Sequence, residues 1–523
     1  MPAKSRLAFV VCQPFDRALW ALLLCSALTA VSVASRAAEV SVRIDSGVLS
    51  GIATDGVHSF KGIPYAAAPV GDLRWRAPRP PLPWSSPRAA SDFGPSCPQA
   101  RPPQRVPAGS AAERTSEDCL TLNVWAPAIP AKPVPVMVWI HGGGNIQGSG
   151  SGTYTDGAAF ARDGIVLVSC NYRLGLLGFF AHPALTQEAG KGPVSNYGLL
   201  DQVAVLQWVQ RNIAAFGGDP NNVTVFGESA GAEDVLALMA TPLAKGLFHR
   251  AVAESAGLWS RPPTLAVAEA AGAEVATTLG LGGKQATVSQ LRALPLAALT
   301  QNATLPGGGP IIDGSLLRQA PLLALASGEG LDVPLIIGTN NNEGSLLNTE
   351  SELIEPGLPR LDLSPWRARY GTAADSDTTL ARLLFRDAVF AEPARWLATH
   401  RVAHAPTYVY RFEYVLSLLR ARRSGADHGS EIPYVFSSWN PNWLSPDDQR
   451  VTATVHSCWV AFARSGLPTC EGAPPWPAYR AEEELLMDFA NQATVHKSAD
   501  DAILDAVHAE LWSESGQASA GPQ

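Results

Sequence analysis

Three short, almost wholly apolar runs constrain this chain more than any other feature: Val134–Ile140 (VPVMVWI), Ile165–Ser169 (IVLVS) and Val223–Phe226 (VTVF). Runs this short, without polar alternation, fit strands buried on both faces. Ala251–Ala253 and Pro334–Ile337 continue the series. Between the second and third runs, Leu199, Leu200, Val203, Leu206, Val209, Ile213 and Phe216 recur at helical spacing, and Gly217-Gly218 ends the pattern. Strand, helix, strand, turn, helix predicts an α/β fold: a large, mostly parallel sheet flanked by helices. The Ala/Leu-rich stretches 262–330 and 355–405 read as helical excursions above that sheet. No linker composition interrupts the chain, so a single domain over 38–523 is expected.

The first 37 residues stand apart. Lys4, Arg6 and Arg17 precede the apolar run Ala18–Ala34, and small residues follow at Ser35, Ala37 and Ala38. Basic, apolar, then small is the pattern of a secretory signal peptide, here 1–37 with cleavage near Ala37. No later run is apolar enough for the roughly 20 residues a membrane helix needs. A secreted or periplasmic protein, without stable membrane insertion after cleavage, is the expectation. A hydrophobic content of 46% over 523 residues excludes wholesale disorder, and a net charge of −8 argues against nucleic acid as a partner. Beyond the leader lie Cys97, Cys119, Cys170, Cys458 and Cys470, an odd number, so at least one stays free. A bond between Cys97 and Cys119 would close a Pro-rich loop and stabilise the chain by about 3 kcal/mol. Cys458 and Cys470 are a second possible pair, Cys170 reads as a buried thiol, and none has metal-ligand spacing.

The strand Val223–Phe226 runs straight into Gly227-Glu228-Ser229-Ala230-Gly231, and a helical stretch follows. G-x-S-x-G is weak alone, but strand, sharp turn and helix are the context of a nucleophile elbow, which lifts a serine above the sheet. The run Val134–Ile140 leads into His141-Gly142-Gly143-Gly144. Consecutive glycines after a buried strand let backbone N–H groups approach a developing oxyanion. Gly143, Gly144 and Ala230 are the candidate donors. A serine needs a base, itself oriented by a carboxylate. The mature chain offers few histidines, among them His428 in a Gly-flanked loop between Asp427 and Gly429. The residues alone leave Glu343, Asp313, Asp427 and Glu431 open as the acid.

Longer runs then accumulate in order: FKGIPYAAAPVGDLRW (60–75), SEDCLTLNVWAP (116–127), NYRLGLLGF (171–179), NYGLLDQ (196–202), FGGDPNNVTVFGESAG (216–231), GTNNNEGS (338–345), HGSEIPYVF (428–436) and WVAFARSGLP (459–468). Together with HGGG they make the chain resemble the type-B carboxylesterases of the carboxylesterase/cholinesterase family. The resemblance implies an α/β-hydrolase fold with helical excursions over an active-site gorge, and hydrolysis of a small-molecule ester through an acyl-enzyme. It implies Ser229, Glu343 and His428 as the triad, with Glu228 and Ser255 supporting it. It also implies a Cys97–Cys119 disulfide and neither cofactor nor metal.

The chain departs from the family pattern in places. Asn145 stands where an aromatic residue usually follows HGGG, changing the expected pocket wall. Residues 98–118 hold no aromatic side chain, which argues against choline esters, and 230–330 hold no cysteine for a second family disulfide. Trp259 falls near the acyl-pocket position. Arg420, Arg422 and Arg423 precede His428; lining the gorge, they would favour anionic esters, and the alternative is a solvated basic loop. An amidase or peptidase with the same triad, and a non-catalytic binding module, are the competing functions. The sequence specifies no oligomeric state.

Overall fold

Alternate residues of the run Val134–Ile140 enter opposite cores. In the computed structural model of the protein, Val136, Val138 and Ile140 pack on one side of the sheet with Trp208 and Leu236. Met137 and Trp139 pack on the other with Phe160, Phe436 and Trp459. A strand covered by helices on both faces has no position that water favours, which is why the run lacks polar alternation. The structure describes residues 38–100, 106, 108–128, 130–257, 262–300, 308–347, 363–498 and 500–512. The leader, 1–37, lies outside them.

The described residues form one mixed sheet of 13 strands. They are β1 (Ala38–Ile44), β2 (Gly47–Thr54), β3 (Val57–Pro64), β4 (Arg88–Ala89), β5 (Thr121–Pro127), β6 (Val134–Ile140), β7 (Val166–Cys170), β8 (Gly218–Glu228), β9 (Arg250–Glu254), β10 (Leu335–Asn340), β11 (Thr407–Phe412), β12 (Leu485–Phe489) and β13 (Ala493–Lys497). The order is β1-β2-β3-β5-β7-β6-β8-β9-β10-β11-β12-β13, with β4 on β2. From β7 to β12 every pairing is parallel. The five apolar runs are β6 to β10. The antiparallel margins, β1, β2, β3 and β5 on one side and β13 on the other, were not anticipated. β1 is largely exposed along its length, so its pattern carries no buried-strand signal.

The helix Tyr197–Asn212 covers the first core and gives way to a 3₁₀ turn, Ile213–Phe216, which ends at Gly217 with φ 83°. Ala230–Ala240 lies on the same face, and Pro446–Ser465 covers the opposite one. Arg173, just after β7, makes a buried bidentate pair with Asp201 of the first helix, at 2.7 Å from both Nε and Nη2. The excursions contain Leu265–Thr278, Asp377–Phe385 and Glu392–His400, the last two joined by a π-helical turn, Arg386–Ala391.

Disulfides join Cys97 to Cys119 and Cys458 to Cys470, and Cys170 is a buried free thiol. No helix among the described residues is long and apolar enough to cross a membrane.

Candidate active site

Ser229 sits where β8 turns into the helix Ala230–Ala240, with φ 58° and ψ −129°. A non-glycine residue held there costs on the order of 1–3 kcal/mol. The surroundings enforce it: Ser229 N–H donates to the Glu254 carbonyl at 2.8 Å, and the helix packs hard against the end of β6. A Cβ on Gly231 would fall 2.2 Å from the Ile140 carbonyl oxygen. The second glycine of the motif is therefore demanded by packing across two strands.

The chain leaving β6 turns at Gly143 (φ 107°) and Gly144 (φ 64°). It passes so near the serine that a Cβ on Gly142 would lie 3.0 Å from Ser229 Cβ. Among the described residues, the N–H groups of Gly143, Gly144 and Ala230 donate to no protein acceptor. Ala230 is buried, Gly143 partly so and Gly144 exposed, and donors without a protein acceptor beside a strained serine are open to an incoming oxygen. The loop is braced from outside. His141 stacks on Tyr172 at 4.4 Å, and the Tyr172 hydroxyl donates to the His141 carbonyl at 2.7 Å. Burial lowers the His141 imidazole to about 4, so it stays neutral. Gln99, two residues beyond the disulfide at Cys97, exchanges hydrogen bonds with the backbone of Gly148 at 3.0 and 3.1 Å. Sequence reading had no signal for Gln99, because its partner lies 49 residues away.

Asn145 differs from its expected place on a pocket wall. It is 1% exposed. Its amide turns beneath the loop and donates to Asp234 at 3.2 Å. Gln202 holds the other Asp234 oxygen, and burial pushes that carboxyl up to about 7. The reason is local: Asn tolerates a left-handed backbone, here φ 59°. A fully buried carboxyl nearby needs a donor.

Glu343 follows β10 and is fully buried. One carboxylate oxygen accepts the Asn340 N–H at 2.7 Å, and the other lies 2.6 Å from His428 Nδ1. The loop bearing His428 is sewn to the one bearing Glu343. Asn340 Nδ2 donates to the Asp427 carbonyl and the Glu431 carboxylate, Asn342 Nδ2 to Asp427 Oδ1, and His428 N–H to Ser345 Oγ. Asp427 and Glu431 thus support the loop, and Asp313 caps a distant turn at Ser315 and Leu317. Glu343 is the carboxylate that meets Nδ1. His428 Nε2 stands 3.1 Å from Glu228 Oε1, and no hydrogen bond joins it to Ser229. An imidazolium donates to whatever anion is nearest, and in ligand-free sites the serine–histidine bond is often loose. Burial opposes charge on His428, but Glu228, Glu343 and Glu431 outweigh it and hold the ring up to about 10. Burial, helped by Glu228 and Glu343, raises Glu431 to about 8. Glu254 is raised well above the carboxylate range, also mainly by burial, and accepts from Trp459 Nε1 at 2.7 Å.

The remaining expected residues fall as follows. Ser255 is fully buried at φ 53° beside the site, but its hydroxyl makes no hydrogen bond among the described residues. The support expected from it does not take that form; the Asn340 N–H holds Glu343 instead. Arg422 and Arg423 are exposed, and Arg423 pairs with Asp427. Solvent and that carboxylate stabilise the guanidinium outside the gorge, and Arg420 lies over the Tyr414 ring. Trp259 lies outside the described residues. Phe390, which sequence reading missed, packs its ring 5.3 Å from that of His428.

A serine on a strained strand–helix turn, at the carboxyl ends of parallel strands and facing free N–H groups and an imidazole–carboxylate pair, defines an α/β-hydrolase of the esterase type. The carboxylesterase family model matches residues 38–356 and 367–506. The chain belongs to that family and is a carboxylic ester hydrolase. It is 37% identical over 494 residues to the fumonisin B1 esterase of Sphingopyxis macrogoltabida, covering 89% of each chain. It is 37% identical over 468 residues to the para-nitrobenzyl esterase of Bacillus subtilis, covering 84% of this chain and 93% of that one. The solved carboxylesterase of Geobacillus stearothermophilus superposes with a TM-score of 0.77 at 33% identity, over 89% of this chain and 99% of that one.

Proposed function

We propose that this chain is a serine carboxylesterase working through an acyl-enzyme, with Ser229, His428 and Glu343 as its triad. His428 Nε2 takes the Ser229 proton as Oγ attacks the ester carbonyl. The N–H groups of Gly143, Gly144 and Ala230 receive the oxyanion. His428 then protonates the departing alcohol, and water repeats the sequence on the acyl-serine, releasing the acid and restoring Ser229. Glu343 stays ionised and holds the imidazole tautomer. Glu228 lies beside Nε2 and stabilises the imidazolium formed during transfer. The observation that carries this reading is the set of three N–H groups beside Ser229 that find no acceptor among the described residues.

We further propose that 1–37 is an export signal and that the single domain 38–523 works in an oxidising compartment. The two disulfides fit such a compartment.

The test is hydrolysis of p-nitrophenyl esters from acetate to decanoate. A burst of one p-nitrophenol per active site is expected where deacylation is slow. Ser229→Ala should lower kcat by about 10⁴- to 10⁶-fold. Turnover that survives the substitution would overturn the assignment.

A further inference from the structure

Four residues beyond the nucleophile the helix Ala230–Ala240 carries a carboxylate for which the reaction has no role. Glu233 stands one helical turn from Ser229, on the same face; its N–H donates to the Ser229 carbonyl at 3.0 Å. Its side chain is only partly buried. Its carboxylate is met by the Gly257 N–H, just past the end of β9. The fit is close: a Cβ on Gly257 would lie 2.9 Å from Glu233 Oε1 and 3.4 Å from the Phe390 ring. Phe390 in turn packs on His428. Glu233, Gly257, Phe390 and His428 thus form one wall beside Ser229. The positive group acting on Glu233 is His428, and no Lys or Arg among the described residues pairs with it.

We propose that Glu233 sets the charge preference of the acyl pocket, favouring acyl groups that carry a cationic head and disfavouring those that carry a carboxylate. This inference rests on the esterase reading of the same site. An acyl group leaves its chain on the enzyme after the alcohol departs, so the wall beside Ser229 meets it in both half-reactions. Burial and the neighbouring Asp234 raise the Glu233 carboxyl to about 8, against the Gly257 N–H and His428. A permanent cation brought beside it favours the ionised form, and an anion opposes it. Other acids of the site act in the same sense, since Glu228, Glu343 and Glu431 already face a single imidazole. The basic residues before His428 lie on the surface and do not offset them.

The experiment compares three ethyl esters at about pH 9, where Glu233 is ionised: 4-(trimethylammonio)butyrate, its neutral isostere 5,5-dimethylhexanoate, and the half-ester of glutarate. Each kcat/KM is divided by the rate of that ester's alkaline hydrolysis. In the wild-type enzyme the cationic ester should exceed the neutral one by at least about tenfold, equivalent to about 1.4 kcal/mol, and the anionic ester should rank last. Glu233→Gln should bring the cationic-to-neutral ratio to within about threefold of one, and Glu233→Asp should retain most of it. An ester carrying the same cation on its alcohol should keep its ratio in Glu233→Gln, which a general disturbance of the site would not allow. A wild-type ratio near one overturns the proposal even where no variant folds, and so does a ratio unchanged in folded Glu233→Gln. Failure of all esters, or turnover that persists in Ser229→Ala, would strike the esterase reading instead.

Discussion

The two halves of the proposed catalytic site are built from different materials. The nucleophile half, at the ends of β6 and β8, is made by backbone: Ser229 is held at positive φ, and Gly231 lets the helix touch the Ile140 carbonyl. The acid–base half, beyond β10, is made by side chains: Asn340, Asn342 and Ser345 sew the Glu343 loop to the His428 loop across 83 to 91 residues of sequence. Sterics have no partial setting, whereas a polar network can lose one member and keep the rest. The first half should therefore fail abruptly under substitution and the second by degrees.

Among changes that leave the proposed triad side chains in place, the largest effect is expected from Gly231→Ala. The nearest atoms the added Cβ would meet are all backbone, at Ile140 and His141, and none is the end of a flexible side chain. Overpacking of this kind typically costs about 1–3 kcal/mol, and a shift of the elbow by even 1 Å costs about 100-fold in rate. Thermal unfolding and kcat on p-nitrophenyl butyrate should fall together. A variant with a normal melting temperature and normal kcat would show that the close approach is dispensable. Asn340→Ala comes next. It removes donors from Asp427 and Glu431 but leaves the main-chain bond from residue 340 to Glu343. A loss of about 1–3 kcal/mol in stability is expected, since Glu431 is left buried without that donor. A fall of roughly tenfold in kcat should accompany it, with KM nearly unchanged. Lost stability without lost kcat would mean that the network serves the fold and not the base.

The same contrast governs what could be read from the sequence. β6 to β8, the helix between them, HGGG and the elbow were legible because their causes are local: unbroken apolar runs, a 3.6-residue period, glycines at fixed offsets. Asp313, Asp427, Glu431 and Glu343 were indistinguishable as candidate acids by local pattern, and only the family resemblance singled out Glu343. Which carboxylate meets His428 depends on where β10 and the later loop come together in space. Asn145 and Ser255 show the limit of the resemblance. Each was placed by its position in a motif, yet Asn145 turns to Asp234, a partner 89 residues away, and the Ser255 hydroxyl is left without a bond. The edge strand β1 escaped for a different reason, since an exposed edge carries little hydrophobic signal.

Glu228 belongs to both halves, and its substitution is the smallest and sharpest test of the comparison. It ends β8, immediately before Ser229, yet its carboxylate lies 3.1 Å from His428 Nε2. Among the groups that hold the imidazole up to about 10, Glu228 follows only burial, which acts the other way. In the proposed mechanism the base must be neutral to take the serine proton, so kcat/KM should rise with pH through the titration of His428. Glu228→Gln removes a negative charge that favours the imidazolium. The folded-state pKa should therefore fall, and the acid limb of the pH profile should move to lower pH by about one unit. The plateau above it should drop, because the same charge no longer stabilises the imidazolium as the proton is transferred. The linked stability moves in the matching sense. A histidine raised in the folded state contributes stability that is fully present below its unfolded value of about 6.5 and is lost as pH rises through the folded value. Glu228→Gln should thus destabilise the protein more at pH 6 than at pH 10. A limb that stays in place, with the plateau alone reduced, would mean that Glu343 and Glu431 set the charge of His428 and that Glu228 belongs to the nucleophile half only.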